Sequence, residues 1–169
     1  MVHSVELVFD PDTEAVVRGI WDALREAGIP SQAPAGRPHA TLTVAQHIDA
    51  AADVALEDLL DRFPLPCSLG ATLIFGRTGG VLARLLVPTA ELLDLQAEVY
   101  RRCLPHVSPA PMPHAEPGQW SPHVTLARRV APARLATAVR IAGRPTEIVG
   151  QVTGIRHWDG DHRLAHPIG

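Results

Sequence analysis

The chain has 169 residues, 46% of them apolar, and a net charge of −3, its positive charge being arginine without a single lysine. That length suits one domain or two small lobes, and folding at this size buries about 70% of the unfolded surface. The mild acidity does not announce a protein that coats nucleic acid but leaves room for a local basic site on a small nucleotide or an RNA end. Absence of lysine excludes a lysyl-adenylate ligase and a phosphate-loop ATPase. Cys67 and Cys103 have no Cys-x-x-Cys spacing, which argues against a zinc ribbon and for reduced, buried thiols. No leader pattern and no run of about 18 apolar residues occurs, so the expectation is a cytoplasmic monomer that does not engage a membrane.

In chain order, Val2 to Phe9 reads as a strand. Asp10-Pro11-Asp12-Thr13 stops it and caps a first helix from about Glu14 to Ala27, with Val16, Ile20, Leu24 and Ala27 as its buried stripe and Trp21 as packing. Gly28 and Pro30 end that helix. Ser31 to Arg37 is a loop leading into the strand Pro38-His39-Ala40-Thr41-Leu42. Asp49 caps a second helix through Ala52, Leu56, Leu59 or Leu60, and Phe63, closed by Pro64 and Pro66. Ala71 to Gly76 is a strand, Thr78-Gly79-Gly80 a hairpin turn, and Val81 to Val87 the returning strand. Thr89 caps a third helix striped by Leu92, Leu95, Val99 and Cys103. Leu104 to Pro122 carries six prolines and predicts neither helix nor central strand; it is a lid over a site or a stiff surface connection. The strand from His123 to about Arg128 follows, then a fourth helix opened by Pro132 and ended by Gly143. Val149 to Trp158 and His162 to Ile168 are the last strands, joined by a two-residue Asp159-Gly160 turn.

The pentapeptide at 38–42 recurs as Pro122-His123-Val124-Thr125-Leu126. In this composition a His-x-Thr-apolar match is expected about a quarter of one time by chance, so two copies carry weight. Each copy alternates with period two, His and Thr on one face, apolar residues on the other. Read structurally, each is an ordinary half-buried strand; read functionally, the two together gather two imidazoles and two hydroxyls around a phosphate. The surrounding order also repeats: strand, helix, His-x-Thr strand, helix, strand, over about 1–78 and 79–169. The expectation is a single α+β domain of two pseudo-symmetric lobes, each an antiparallel sheet flanked by outer helices, with the motif strands facing across a central cleft.

Free imidazole titrates near 6.5, so one histidine can be neutral while the other is protonated, a matched base and acid. Hydroxyls two residues along can donate to non-bridging phosphate oxygens. Arg37 and Arg128 offer charge-assisted contacts, and Trp120 offers a face to a base or a plug at the lobe junction. This set fits metal-free, in-line attack on a phosphodiester, and a cyclic phosphate is its most economical substrate. With these motifs, across nearly the whole chain, the sequence resembles the 2H phosphoesterase superfamily, in particular the bacterial 2′,5′ RNA ligase-like proteins. The resemblance implies a bilobal fold and a phosphodiesterase that needs no metal or cofactor. It also implies hydrolysis of the 2′,3′-cyclic phosphate of nucleotides or RNA ends to a 2′-phosphate, with 2′,5′ RNA ligase activity in some members. By analogy His39 is the acid, His123 the base, and Thr41 and Thr125 the phosphate holders; the near-symmetry of the motifs leaves the acid and base open to exchange. The proline-rich segment and the lysine-free acidity depart from the family pattern, pointing to a cyclic nucleotide or RNA end rather than a long RNA.

Three readings compete: the phosphodiesterase, a non-catalytic nucleotide or RNA-end binding module on the same fold, and a hydrolase with the histidines as metal ligands. His47 reads as an exposed strand-end residue, and His106 and His114 as residues of the proline-rich loop, on its surface or closing over a ligand. His157, His162 and His166 flank the last hairpin without a recognised metal-ligand spacing.

Overall fold

The computed structural model describes residues 1–33, 35–76 and 80–169. Its strands are β1 (His3–Phe9), β2 (His39–Ile48), β3 (Leu65–Phe75), β4 (Gly80–Leu86), β5 (Val107–Pro111), β6 (His123–Val130), β7 (Ile148–Asp159) and β8 (Leu164–Pro167). Its α-helices are α1 (Pro11–Glu26), α2 (Ala51–Leu56), α3 (Ala90–Cys103) and α4 (Leu135–Ala142). Two expected caps form, Asp10 Oδ1 accepting the Thr13 N–H at 3.0 Å and Thr89 Oγ1 the Leu92 N–H at 3.1 Å, whereas α2 has Ala50 at its N-cap and Asp49 accepts the Ala51 N–H from one residue further out. Gly143 caps α4. No helix among the described residues is long and apolar enough to cross a membrane.

Local differences from the sequence reading have identifiable causes. The second helix tightens into a 3₁₀ stretch over Glu57–Arg62, where buried Leu56 and Leu59 stand three residues apart. β3 starts at Leu65, not Ala71, because exposed Pro66 lies in the part of β3 that has only β7 as a partner. The Leu104–Pro122 segment contributes β5, an edge strand on β2, despite Pro109 and Pro111. The last turn has four residues, since Asp159 pairs with Leu164. The Asp159 carboxylate accepts the N–H groups of Asp161 and His162 at 2.9 and 3.0 Å and shapes that turn in place of a two-residue loop. The expected turn at Thr78-Gly79 lies outside the described residues.

All strand pairs are antiparallel, in the order β1-β2-β6-β4-β3-β7-β8, and β1 also pairs with β7, so the path closes on itself. In chain order the first half runs β1-α1-β2-α2-β3 and the second β4-α3-β5-β6-α4-β7, with β5 additional to the repeat read from the sequence. Hydrogen bonding does not follow the halves. β1 pairs with β2 and β4 with β6, while β3 crosses to β4 and β7 crosses to β1. The helices cross as well, α1 packing on α4 and β6, and α3 on β2. Both cysteines are buried and free, which pushes their thiols up to about 11 (Cys67) and about 12 (Cys103).

Candidate active site

The two motif strands meet at one pair, Ala40 opposite Val124. Counting outward in an antiparallel pair, His39 falls opposite Thr125 and Thr41 opposite His123, all on the face away from Ala40 and Val124. The histidines therefore occupy one diagonal of a square and the threonines the other. Burial follows the same alternation: Ala40, Leu42, Val124 and Leu126 are at most 1% exposed, and the four polar residues are half-buried. Beyond that single pair, side chains serve strand carbonyls. Trp120 Nε1–H donates to Thr41 O at 2.9 Å and Trp21 Nε1–H to Thr125 O at 3.2 Å. Gln96 reaches Leu42 O, and Ser31 reaches Leu126 O. The result is a cleft of about 1040 Å³ lined by all four motif residues.

The histidines are held alike. His39 Nδ1 lies 2.8 Å from Arg37 O, and His123 Nδ1 lies 2.7 Å from Ser121 O. A carbonyl only accepts, so each Nδ1 carries a proton and each Nε2 is left as the working nitrogen. The shared proline of each motif stands between the histidine and that carbonyl. Arg156 Nη2 is also 3.3 Å from His39 Nδ1, but two N–H groups cannot bond each other, so this approach is a charge neighbour.

The surroundings are not alike. Glu6 of β1, 5% exposed, places Oε1 3.6 Å from His39 Nε2. Ser4 Oγ donates to Glu6 Oε1 at 2.7 Å, and Arg156 Nη2 is 2.7 Å from Oε2. Strand register puts Thr41, Glu6 and Arg156 in one row across β2, β1 and β7. His123 instead packs its ring 4.7 Å from that of Phe75. Burial, aided by the positive charges of Arg128 and His39, holds its imidazole below the ordinary histidine value, against the pull of the Ser121 carbonyl.

His39, Thr41, His123 and Thr125 thus come together, and Arg37, Arg128 and Trp120 line the same cleft. The Arg37 charge is engaged by Glu14, with Nε 2.6 Å from Oε1. His114 lines the cleft too, whereas His106 and His47 do not. Sequence reasoning missed Glu6, Arg156 and Trp158, and read Trp21 as packing alone. The available signal was Glu6 itself, a lone carboxylate in an apolar strand, two residues after Ser4.

A family model described as the 2′-5′ RNA ligase superfamily matches residues 11–163. No curated protein matches the chain. Among solved structures, apo E. coli LigT aligns with a TM-score of 0.60 at 16% identity, covering 99% of this chain and 94% of LigT. E. coli LigT complexed with 3′-AMP gives 0.58 at 15% identity, with the same coverage. Kluyveromyces marxianus Usb1 with uridine monophosphate gives 0.53 at 12% identity, covering 98% of this chain and 97% of that one. These likenesses show the fold, an antiparallel sheet with helices arranged as in LigT, and the family match spans most of the sequence. The chain belongs to the 2′-5′ RNA ligase superfamily.

Proposed function

We propose that this protein is a metal-independent phosphodiesterase that hydrolyses the 2′,3′-cyclic phosphate of a nucleotide or RNA end to a 2′-phosphate. The observation that carries this is the mirrored pair of histidines, each with Nδ1–H tied to a carbonyl and Nε2 left for chemistry. A binding module has no need of two titrating imidazoles held in matched tautomers. Neutral His123 accepts a proton from the attacking water at Nε2 as the new P–O bond forms. His39 gives its Nε2 proton to the departing 3′-oxygen as the old P–O bond breaks. The carboxylate of Glu6 faces the proton donor and the guanidinium of Arg128 influences the acceptor, so the surroundings favour this assignment over its reverse. Thr41 and Thr125, on the other diagonal, donate to the non-bridging oxygens, where charge sits in the transition state. Arg128 and the face of Trp120 contact the rest of the substrate. That LigT and Usb1 structures hold nucleoside monophosphates supports a substrate of this size.

The test is turnover of 2′,3′-cyclic AMP, and of an RNA bearing a 2′,3′-cyclic phosphate end, in the presence of chelator. Phosphorus NMR identifies the product. His39→Ala and His123→Ala should each lose about 10²- to 10⁴-fold in rate, the usual share of a general acid or base. Nucleotide binding without turnover in the wild type would replace the enzyme with a binding module, and turnover that chelator abolishes would replace the acid–base pair with a metal.

A further inference from the structure

The face of β7 away from the cleft carries a second set of reactive side chains. Arg156 and Trp158 line the cleft, so His157 between them projects from the other face. There its Nδ1 lies 2.9 Å from Oδ1 of Asp53, on α2. His166, on β8, places Nε2 2.7 Å from the other oxygen of the same carboxylate. One ligand atom from each of the three lies within 4.8 Å of the others. His157 is 2% exposed, and its Nε2 is buried with no partner. His3, with its ring centroid 5.7 Å from that of His157, also leaves Nδ1 buried and unmet. The hydrolytic chemistry proposed above uses none of these groups.

We propose that Asp53, His157 and His166 form a site for one divalent transition-metal ion of the zinc type, which fastens β8 to α2. Two imidazoles and one carboxylate suit zinc and its neighbours, whereas magnesium prefers all-oxygen ligands. With metal–nitrogen bonds of about 2.0–2.1 Å, tetrahedral ligand atoms stand about 3.3 Å apart. Each imidazole nitrogen now sits 2.7–2.9 Å from a different oxygen of Asp53, and with one ligand atom of each residue within 4.8 Å of the others, side-chain shifts of up to about 1.5 Å bring three of them to that spacing. Asp53 now accepts an N–H from each ring. Metal entry moves each proton to the ring's outer nitrogen and frees the inner lone pair. For His157 the outer nitrogen is the unmet Nε2, so this shift of tautomer breaks no other hydrogen bond. Burial holds His157 below the ordinary histidine value, which favours the neutral, metal-binding form. Water completes the coordination at the exposed rim. All four residues of β8 are exposed, so a staple here restrains a strand that packing does not.

The experiment uses untagged protein stripped with chelator, dialysed, and titrated calorimetrically with zinc chloride and, in parallel, magnesium chloride. Wild type should bind zinc but not magnesium, with a rise in Tm on zinc alone. Asp53→Asn and His166→Gln, both outside the core, should each bind one zinc fewer per chain while circular dichroism shows them folded. His47→Gln, in the neighbouring His3–His47–Asp161 group, should retain the ion at this site. Cobalt should give a visible d–d band in the wild type that Asp53→Asn loses. Equal zinc stoichiometry in wild type and Asp53→Asn, or no preference for zinc over magnesium, overturns the proposal. Either result leaves the phosphodiesterase reading untouched, since that is assayed with chelator present.

Discussion

Arg84, on β4, is 0% exposed and is the largest fully buried side chain. It stands opposite Val124 of the second motif strand, so its side chain leaves the sheet on the side away from His123. Among the described residues no carboxylate meets it. Five N–H groups go to five carbonyls: Nε to Gly70 at 2.5 Å, Nη1 to Ala142 and Pro145 at 2.8 Å, and Nη2 to Leu69 at 3.1 Å and Thr146 at 2.7 Å. Ala142 ends α4, whose dipole places negative charge there. Burial lowers the guanidinium from its ordinary value, yet arginine remains charged at any working pH. One side chain thus ties β3, β4 and the end of α4 together behind the motif strand. Arg84→Lys keeps the charge but has three donors, so at least two carbonyls lose their partners. Each unmet buried carbonyl costs about 1–3 kcal/mol, which gives a loss of roughly 2–6 kcal/mol. Water reaching Pro145 and Thr146, which are exposed, draws the value toward the lower end. Set against a total stability of about 5–15 kcal/mol, that is a large fraction. Urea unfolding followed by circular dichroism measures it. A loss below about 1 kcal/mol would refute the view that the donor count, and not the charge alone, holds this junction.

Local signals carried far in this chain, and they failed where a partner is distant. The alternation of His39, Thr41, His123 and Thr125 with buried Ala40, Leu42, Val124 and Leu126 needs only period two. Asp10, Thr89 and Gly143 mark helix ends through chemistry confined to a few residues. Which strand pairs with which is not local. The halves repeat in order, and the hairpin signal joins β3 to β4, but nothing in either half says that β3 also pairs with β7, or that β7 returns to β1. Glu6 and Arg156 are 150 positions apart, so their ion pair depends on that return. Trp21 sits in an apolar helical stripe, where its indole N–H gives no sign that it serves a carbonyl 104 residues away. Arg84 shares its strand face with buried Leu82 and Leu86, and a single arginine in an apolar run reads equally well as an edge residue.

The site yields three further expectations. Trp21→Phe and Trp120→Phe each remove one donor to a motif threonine's carbonyl. Each should cost about 1 kcal/mol in urea unfolding, the net worth of one hydrogen bond. Glu6→Gln strips the buried partner from Arg156 and should lower stability by ~3 kcal/mol; adding Arg156→Gln should recover part of it, and a thermal melt of the single and double variants decides. The last expectation concerns pH and follows from His123. Its folded-state pKa lies below the unfolded value of 6.5, chiefly through burial beside Phe75. As the base it must be neutral, so the acid limb of log kcat/KM should fall below pH 6.5. Between the folded pKa and 6.5 the unfolded chain binds more protons here than the folded one. The contribution of His123 to stability is therefore complete above 6.5 and is lost as pH falls through that window. Phe75→Ala admits water to the ring, and both the acid limb and the stability change should move up toward 6.5. An acid limb that stays in place in Phe75→Ala, with chemistry shown to be rate-limiting, would mean that a group other than His123 takes the proton.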